Sequence, residues 1–168
     1  MFRAVTVGLL VLLLGGCSAS ADKAAAERGV GEFRRSLAAE RYHDIYVASS
    51  QDMQQATSEQ ALTVVLRGVH DRLGPVRESD QQSWRVNFDS RGNLVQLIYA
   101  TQFTSGRGLE EFVFRANGGT VRLAGYHINS GDLLLALQRQ AGANDESSNG
   151  AEGAPVSNET TVIRPARR

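Results

Sequence analysis

The 168-residue chain contains one cysteine, Cys17, so no intramolecular disulfide can staple its fold. It has no charge excess either. Eighteen Lys and Arg face eighteen Asp and Glu, which leaves no basic footprint for nucleic acid. The same balance excludes a strongly acidic, ion-binding or solvating composition. The three histidines, His43, His70 and His127, are scattered, and neither HxH nor HExxH occurs, so no metal centre is expected. No cofactor is implied: Ser105-Gly106-Arg107-Gly108 lacks the GK[ST] ending of a phosphate loop and sits between two strand patterns. Nucleophile-elbow patterns and internal repeats are absent. Asn158-Glu159-Thr160 matches a glycosylation acceptor only by chance composition of a polar segment.

What is present begins at the N-terminus. In MFRAVTVGLLVLLLGGC, Arg3 precedes an uncharged run from Ala4 to Gly16, and small residues lead into Cys17. A charged start, a short apolar middle and small residues before a cut are the form of a secretory signal. At about 1.5 Å per residue the run gives a helix of roughly 20 Å, short of the ~30 Å hydrocarbon core, which argues against a permanent spanning helix. Leu14-Gly15-Gly16-Cys17 resembles the lipobox of bacterial lipoproteins. That resemblance implies diacylglycerol on the Cys17 thiol, cleavage between Gly16 and Cys17, and a mature cysteine bearing two or three acyl (palmitate-type) chains. A plain signal peptide that leaves Cys17 free is the alternative. Several chains hold a protein at a bilayer far better than one. Ser18 follows the cysteine, with no aspartate to favour inner-membrane retention. The expected address is therefore the cell envelope, on the outer membrane facing the periplasm in a Gram-negative cell.

Residues 1–16 thus read as signal peptide, 17–23 as a polar spacer, 24–140 as one folded domain and 141–168 as a disordered tail. A first helix is expected from about Asp22 to Ala39, with Ala26, Val30, Phe33 and Leu37 as its apolar stripe. Gly29 and Gly31 weaken it, and Arg28, Glu32, Arg34 and Arg35 are assigned to its water side. Glu40 to Ala48 reads as a short second helix with Tyr42, Ile45 and Tyr46 on one side, and Ser49 to Ala56 as a polar link. Thr57 with Gln60 forms a capping-box pattern opening a helix whose stripe is Leu62, Val65, Leu66, Val69 and Leu73. Gly74 and Pro75 end it.

From Val76 the period becomes two. Trp84, Val86 and Phe88 alternate with polar residues before the turn Ser90 to Asn93. Leu94 to Thr104 is apolar on both faces over its first half, as in a central strand. Phe112 and Phe114 alternate in a third strand, Asn117-Gly118 signals a hairpin, and Gly125 in the fourth strand marks a bulge. Three hairpins in succession make an antiparallel meander. Asp132 to Arg139 suits a last helical turn or two. Beyond it, 141–168 has too few apolar residues to offset the cost of ordering.

Helices followed by a four-stranded antiparallel meander give an α+β class, with N-terminal helices packed on a curved sheet. The order of "RYHDIY", "TSEQALTVVLRGVHDRLGPV", "LVQLIYATQF", "GLEEFVFR" and "VRLAGYHINS" resembles the NTF2-like, cystatin-like superfamily. More narrowly it is similar to small bacterial lipoproteins of unknown function such as the DUF4019 and DUF3887 groups. The resemblance implies a cone between helices and sheet that is an active site in some members, and a sheet face that commonly forms homodimers.

Three candidate groups could furnish chemistry in such a cone: His127 with Tyr126, the pair Glu110 and Glu111, and His43 with Asp44. Strand alternation puts Glu110 and Glu111 on opposite faces and makes them edge charges. His43-Asp44 reads as a solvated corner, and a cone filled by Phe33, Leu66, Phe112 and Phe114 is expected. Tyr42, Tyr46, Trp84, Tyr99 and Phe103 could line a groove or the open sheet face. The functional expectation is a membrane-anchored envelope lipoprotein, a non-enzymatic interaction or accessory module for an envelope protein or cell-wall partner. A small-ligand or catalytic pocket using His127 and a glutamate is the alternative.

Overall fold

A computed structural model describes the backbone of residues 3–139, with side chains from Ala19 onward. The side chains of Gly16 and Cys17, and the whole of 140–168 including the expected tail, lie outside the described residues. Four helices precede four strands: α1 (Arg3–Ala38), α2 (Tyr42–Ala48), α3 (Gln51–Ala56), α4 (Glu59–Leu73), β1 (Val76–Asn87), β2 (Asn93–Phe103), β3 (Gly106–Asn117) and β4 (Thr120–Asn129). A further helix, α5, covers 131–139, and Ser130 caps it by accepting from the Leu133 amide at 3.2 Å. The chain divides into units 1–135 and 136–168, the second described only at 136–139.

The sheet is a meander in the order β1-β2-β3-β4, every neighbour antiparallel. The expected α+β layout is the one observed. Alternation sends Val95, Leu97, Thr101 and Phe103 of β2, and Glu110, Phe112, Phe114 and Ala116 of β3, to one buried face. All four stripe residues of α1 join that core, with Tyr42, Ile45, Met53 and Leu62, Leu66, Val69 and Leu73 of the following helices. Phe33, Leu66, Phe112 and Phe114 are buried at its centre, so the expected filled cone is present. β1 reads as polar from Arg77 to Ser83 because it is an edge strand, bulged at Arg77 and Gln82 where pairing with β2 skips a residue. The bulge expected near Gly125 falls on its neighbour: Val113 faces Gly125 while Phe114 faces Leu123, leaving Ala124 extra.

Several boundaries differ from expectation. Helix α1 runs through the segment assigned as a spacer, and Asp22 within it is buried, accepting a 2.7 Å hydrogen bond from the Asn93 amide group. Gly29 and Gly31 do not break α1. An ideal Cβ at Gly29 would lie 2.7 Å from the Phe114 ring, so the missing side chain lets helix and sheet approach. The link Ser49–Ala56 contains α3, which Ser50 caps and Met53 anchors in the core; a six-residue helix with one buried apolar side chain leaves almost no periodic signal. The α4 cap is Ser58 rather than Thr57: Ser58 accepts from the Ala61 amide at 3.2 Å, and Thr57 instead ends α3. Gly74 closes α4 with φ +73°, as its sequence position suggests. Val65, expected in the stripe, is half exposed, because α4 buries only the narrower set Leu62, Leu66, Val69 and Leu73. Tyr42 and Phe103, assigned to a groove, are core residues.

Two of the helical glycines, Gly29 and Gly68, should respond oppositely to alanine. Gly29→Ala meets the Phe114 ring and is expected to cost about 1–3 kcal/mol, the range for overpacking. Gly68→Ala on α4 meets nothing within 4 Å and should stabilise by about 0.5–1 kcal/mol through helix propensity. Urea midpoints of the two variants check both signs.

Candidate functional site: a buried ion pair and a polar cleft

β3 carries Glu110 between Tyr99 of β2 and Ile128 of β4, on the face that the helices cover. Its side chain is fully buried. A carboxylate there must find partners for its lone pairs or give up its charge. It finds three. Oε2 accepts from Arg34 Nη2 at 2.6 Å and from Thr101 Oγ1 at 2.7 Å, while Oε1 accepts from the Tyr126 hydroxyl at 2.9 Å. Arg34 reaches down from α1 and also donates to Ser79 Oγ at 2.9 Å. Its guanidinium lies over the rings of Tyr99 and Phe112, at 5.1 and 5.7 Å from their centroids. Phe33, Phe112 and Tyr126 pack against one another around this pair, with centroids 4.8 to 5.2 Å apart. Burial, and then the neighbouring Glu110 charge, push the Tyr126 hydroxyl well above its ordinary value.

Glu110 accepts through both oxygens, so it has the partners of a structural ion pair and lacks an approach for a substrate. The cavity beside Arg34, enclosed by residues such as Leu37, His70, Pro75 and Phe103, is about 20 Å³, room for about one water.

The sequence pattern places Arg34 on the water side of α1, and the structure buries most of it. Its spacing held a clue: Arg34 lies four residues after Val30 and three before Leu37, inside the apolar stripe. A charged residue in such a stripe predicts a buried counter-charge, and Glu110, unlike Glu111, shares the parity of the inward Phe112 and Phe114 on its strand. Glu110 was correctly placed opposite in face to Glu111, but it is a core residue and not an edge charge. Glu111 faces outward, hydrogen-bonded by Gln96 and opposite His127 in register. His127 is exposed on that outer face, so it and Glu110 are separated by the sheet and form no acid–base pair. His43 pairs not with Asp44 but with Glu59, at 2.8 Å on the surface, and that hydrogen bond raises its pKa. Among the described residues no group of three or more His, Cys, Asp or Glu is placed to hold a metal.

A second concentration of polar groups lies where α3 meets the hairpin turns. Arg115 projects from the outer side of β3, donating from Nε and Nη2 to Asp52 Oδ2 at 2.9 and 2.6 Å. Its Nη1 bonds Asp89 Oδ2 at 3.1 Å and the Gly92 carbonyl at 2.9 Å. Arg91 closes the network on Asp52 Oδ1 at 3.1 Å. These groups border an open cleft of about 640 Å³, with Ser49, Ser50, Thr120 and the exposed Arg122 on its other walls. The Arg91 amide, followed by the Arg115 guanidinium, holds the Asp89 carboxyl down to about 2.

No protein-family model matches the sequence, and no curated protein matches it. Among solved structures the chain is similar to a provisionally assigned scytalone dehydratase from Novosphingobium aromaticivorans, with 12% identity over 65% of this chain and 83% of that one, at a TM-score of 0.42. A likeness at that level says nothing of chemistry.

Breaking the buried pair from one side should be costly and removing both sides should not. Arg34→Met leaves Glu110 charged and unpaired, with an expected loss of about 3–5 kcal/mol, whereas Arg34→Met with Glu110→Leu should recover most of it. Chemical denaturation of the three proteins measures the difference. In acid, the depressed Asp89 binds protons more weakly folded than unfolded. Its contribution is complete above its ordinary value and is lost as pH falls through that value towards about 2. Asp89→Asn should flatten the stability profile over that window, as read by denaturation at stepped pH.

Proposed function

We propose that this chain is a bacterial envelope lipoprotein, held to the membrane by acyl chains on Cys17, whose domain is an interaction or accessory module rather than an enzyme. The observation that carries the second half of this reading is the saturation of Glu110: its oxygens are engaged by Arg34, Thr101 and Tyr126, and its side chain is fully buried. A general acid or base needs a proton it can exchange with a bound substrate, and this carboxylate is walled off from one. The first half is supported by the leader pattern ending Leu14-Gly15-Gly16-Cys17. Among the described residues no helix is long and apolar enough to cross a membrane.

In this reading a partner protein, a cell-wall component or a second copy of the chain meets the domain on exposed surface, with the outward side chains of Ala100 and Leu109 among the apolar contacts available. Small-ligand binding is a second reading. The polar cleft beside α3, with exposed Arg122 at its wall, favours it over any site at His127. Intact-mass measurement of the protein from bacterial membranes is expected to show loss of residues 1–16 and a gain of acyl mass. Cys17→Ser should abolish both changes. A mature protein lacking acyl mass would sink the anchored reading, and turnover of a substrate lost in Glu110→Gln would sink the non-enzymatic one.

A further inference from the structure

We propose that the domain end from which the leader departs docks on the bilayer through Phe88 and Trp84, so that the domain lies against the membrane instead of swinging free; this rests on the lipid-anchored reading. Phe88 is 70% exposed, the largest fraction among the exposed large apolar side chains described, and Trp84 is 47% exposed. Trp84 lies near the C-terminal end of β1 and Phe88 just past it, four residues on. Isolated exposed apolar residues are ordinary on a protein surface; two aromatics beside an anchor point are not.

The anchor point is fixed to that end by direct contacts. Asp22 accepts from Asn93, the residue that closes the turn after Phe88. Lys23 sits over the Trp84 ring, 5.6 Å from its centroid. Ala21 and Asp22 share a cleft of about 510 Å³ with both hairpin turns, at Asp89–Asn93 and Ala116–Gly119. Cys17 precedes Asp22 by five residues, and α1 is helical across the interval, a rise of about 7.5 Å. Even fully extended, five residues span only about 18 Å. Acyl chains entering the bilayer at Cys17 therefore bring the Phe88 turn to the headgroup region with them. Tryptophan is stabilised there with its ring N–H kept wet, and phenylalanine by burying its ring at the acyl boundary. A second apolar contact also reinforces a lipid anchor.

Trp84 is the only tryptophan, so its emission reports the contact unambiguously. The full chain is produced in a bacterium, its mature form is checked by intact mass, and it is reconstituted into phosphatidylethanolamine–phosphatidylglycerol vesicles containing lipids brominated near the headgroup or near the chain end. Trp84 emission is expected to be quenched by the shallow bromines, much less by the deep ones, and to be shielded from aqueous iodide. Phe88→Ser, a change at an exposed position that should keep its thermal midpoint, is expected to lose most of the bromine quenching. An acylated protein whose Trp84 is untouched by brominated lipid and open to iodide overturns the docking and leaves the anchor standing. Quenching undiminished in Phe88→Ser overturns the part assigned to Phe88. A mature protein without acyl mass overturns the anchor itself, and the docking with it.

Discussion

The Arg34–Glu110 bond is the constraint around which this domain is arranged. It joins the C-terminal turns of α1 to β3, and neither partner is tolerable in that interior alone. Because Glu110 accepts at 2.6 Å from Arg34 and at 2.9 Å from Tyr126, the azimuth of α1 and the register of β4 are set by one carboxylate. Hydrophobic packing of Ala26, Val30, Phe33 and Leu37 is tolerant of small rotations. A hydrogen-bonded charge pair is not. The aromatic rings of Phe33, Tyr99, Phe112 and Tyr126 then close around the pair, and the space that could have been a pocket is occupied by side chains.

That occupancy separates interior from surface in functional terms. The interior charges are committed to holding a helix on a sheet. The groups at the rims are the polar cleft bordered by Asp52, Arg91 and Arg115, and the end where Asp22 bonds Asn93, Lys23 lies over Trp84 and Phe88 is exposed. The Arg115 network does for the hairpin turns what Arg34 does for the core. One guanidinium holds Asp52 of α3, Asp89 of the first turn and the Gly92 carbonyl together. It differs in that its carboxylates, Asp52 and Asp89, are partly hydrated where Glu110 is buried, so its contribution is weaker and dependent on pH and salt.

Elements with a long apolar period were legible before the fold was seen. The α1 and α4 stripes, the central position of β2, the alternation of Phe112 and Phe114, and the Asn117-Gly118 hairpin each rest on spacing within one element. Errors fell where the deciding contact came from a distant residue. Helix α3 was read as a link because its one core residue, Met53, leaves no period; the segment is held by Ser50, whose amide also bonds the Leu123 carbonyl at 2.8 Å. Gly29 looked like a weak point in a helix until Phe114, 85 positions on, explained why a side chain is missing there.

The candidate site divides the same way. Sequence alone determined that Glu110 and Glu111 face apart, that His127 shares no ligand motif, and that Cys17 follows an apolar run, since these depend on local alternation and spacing. Only the tertiary structure decided that Glu110 is buried, that Arg34 of a helix 76 residues earlier is its partner, and that Asp22 and Lys23 hold α1 beside Asn93 and Trp84. Burial and charge pairing are properties of two segments meeting in space, and no window along the chain contains both.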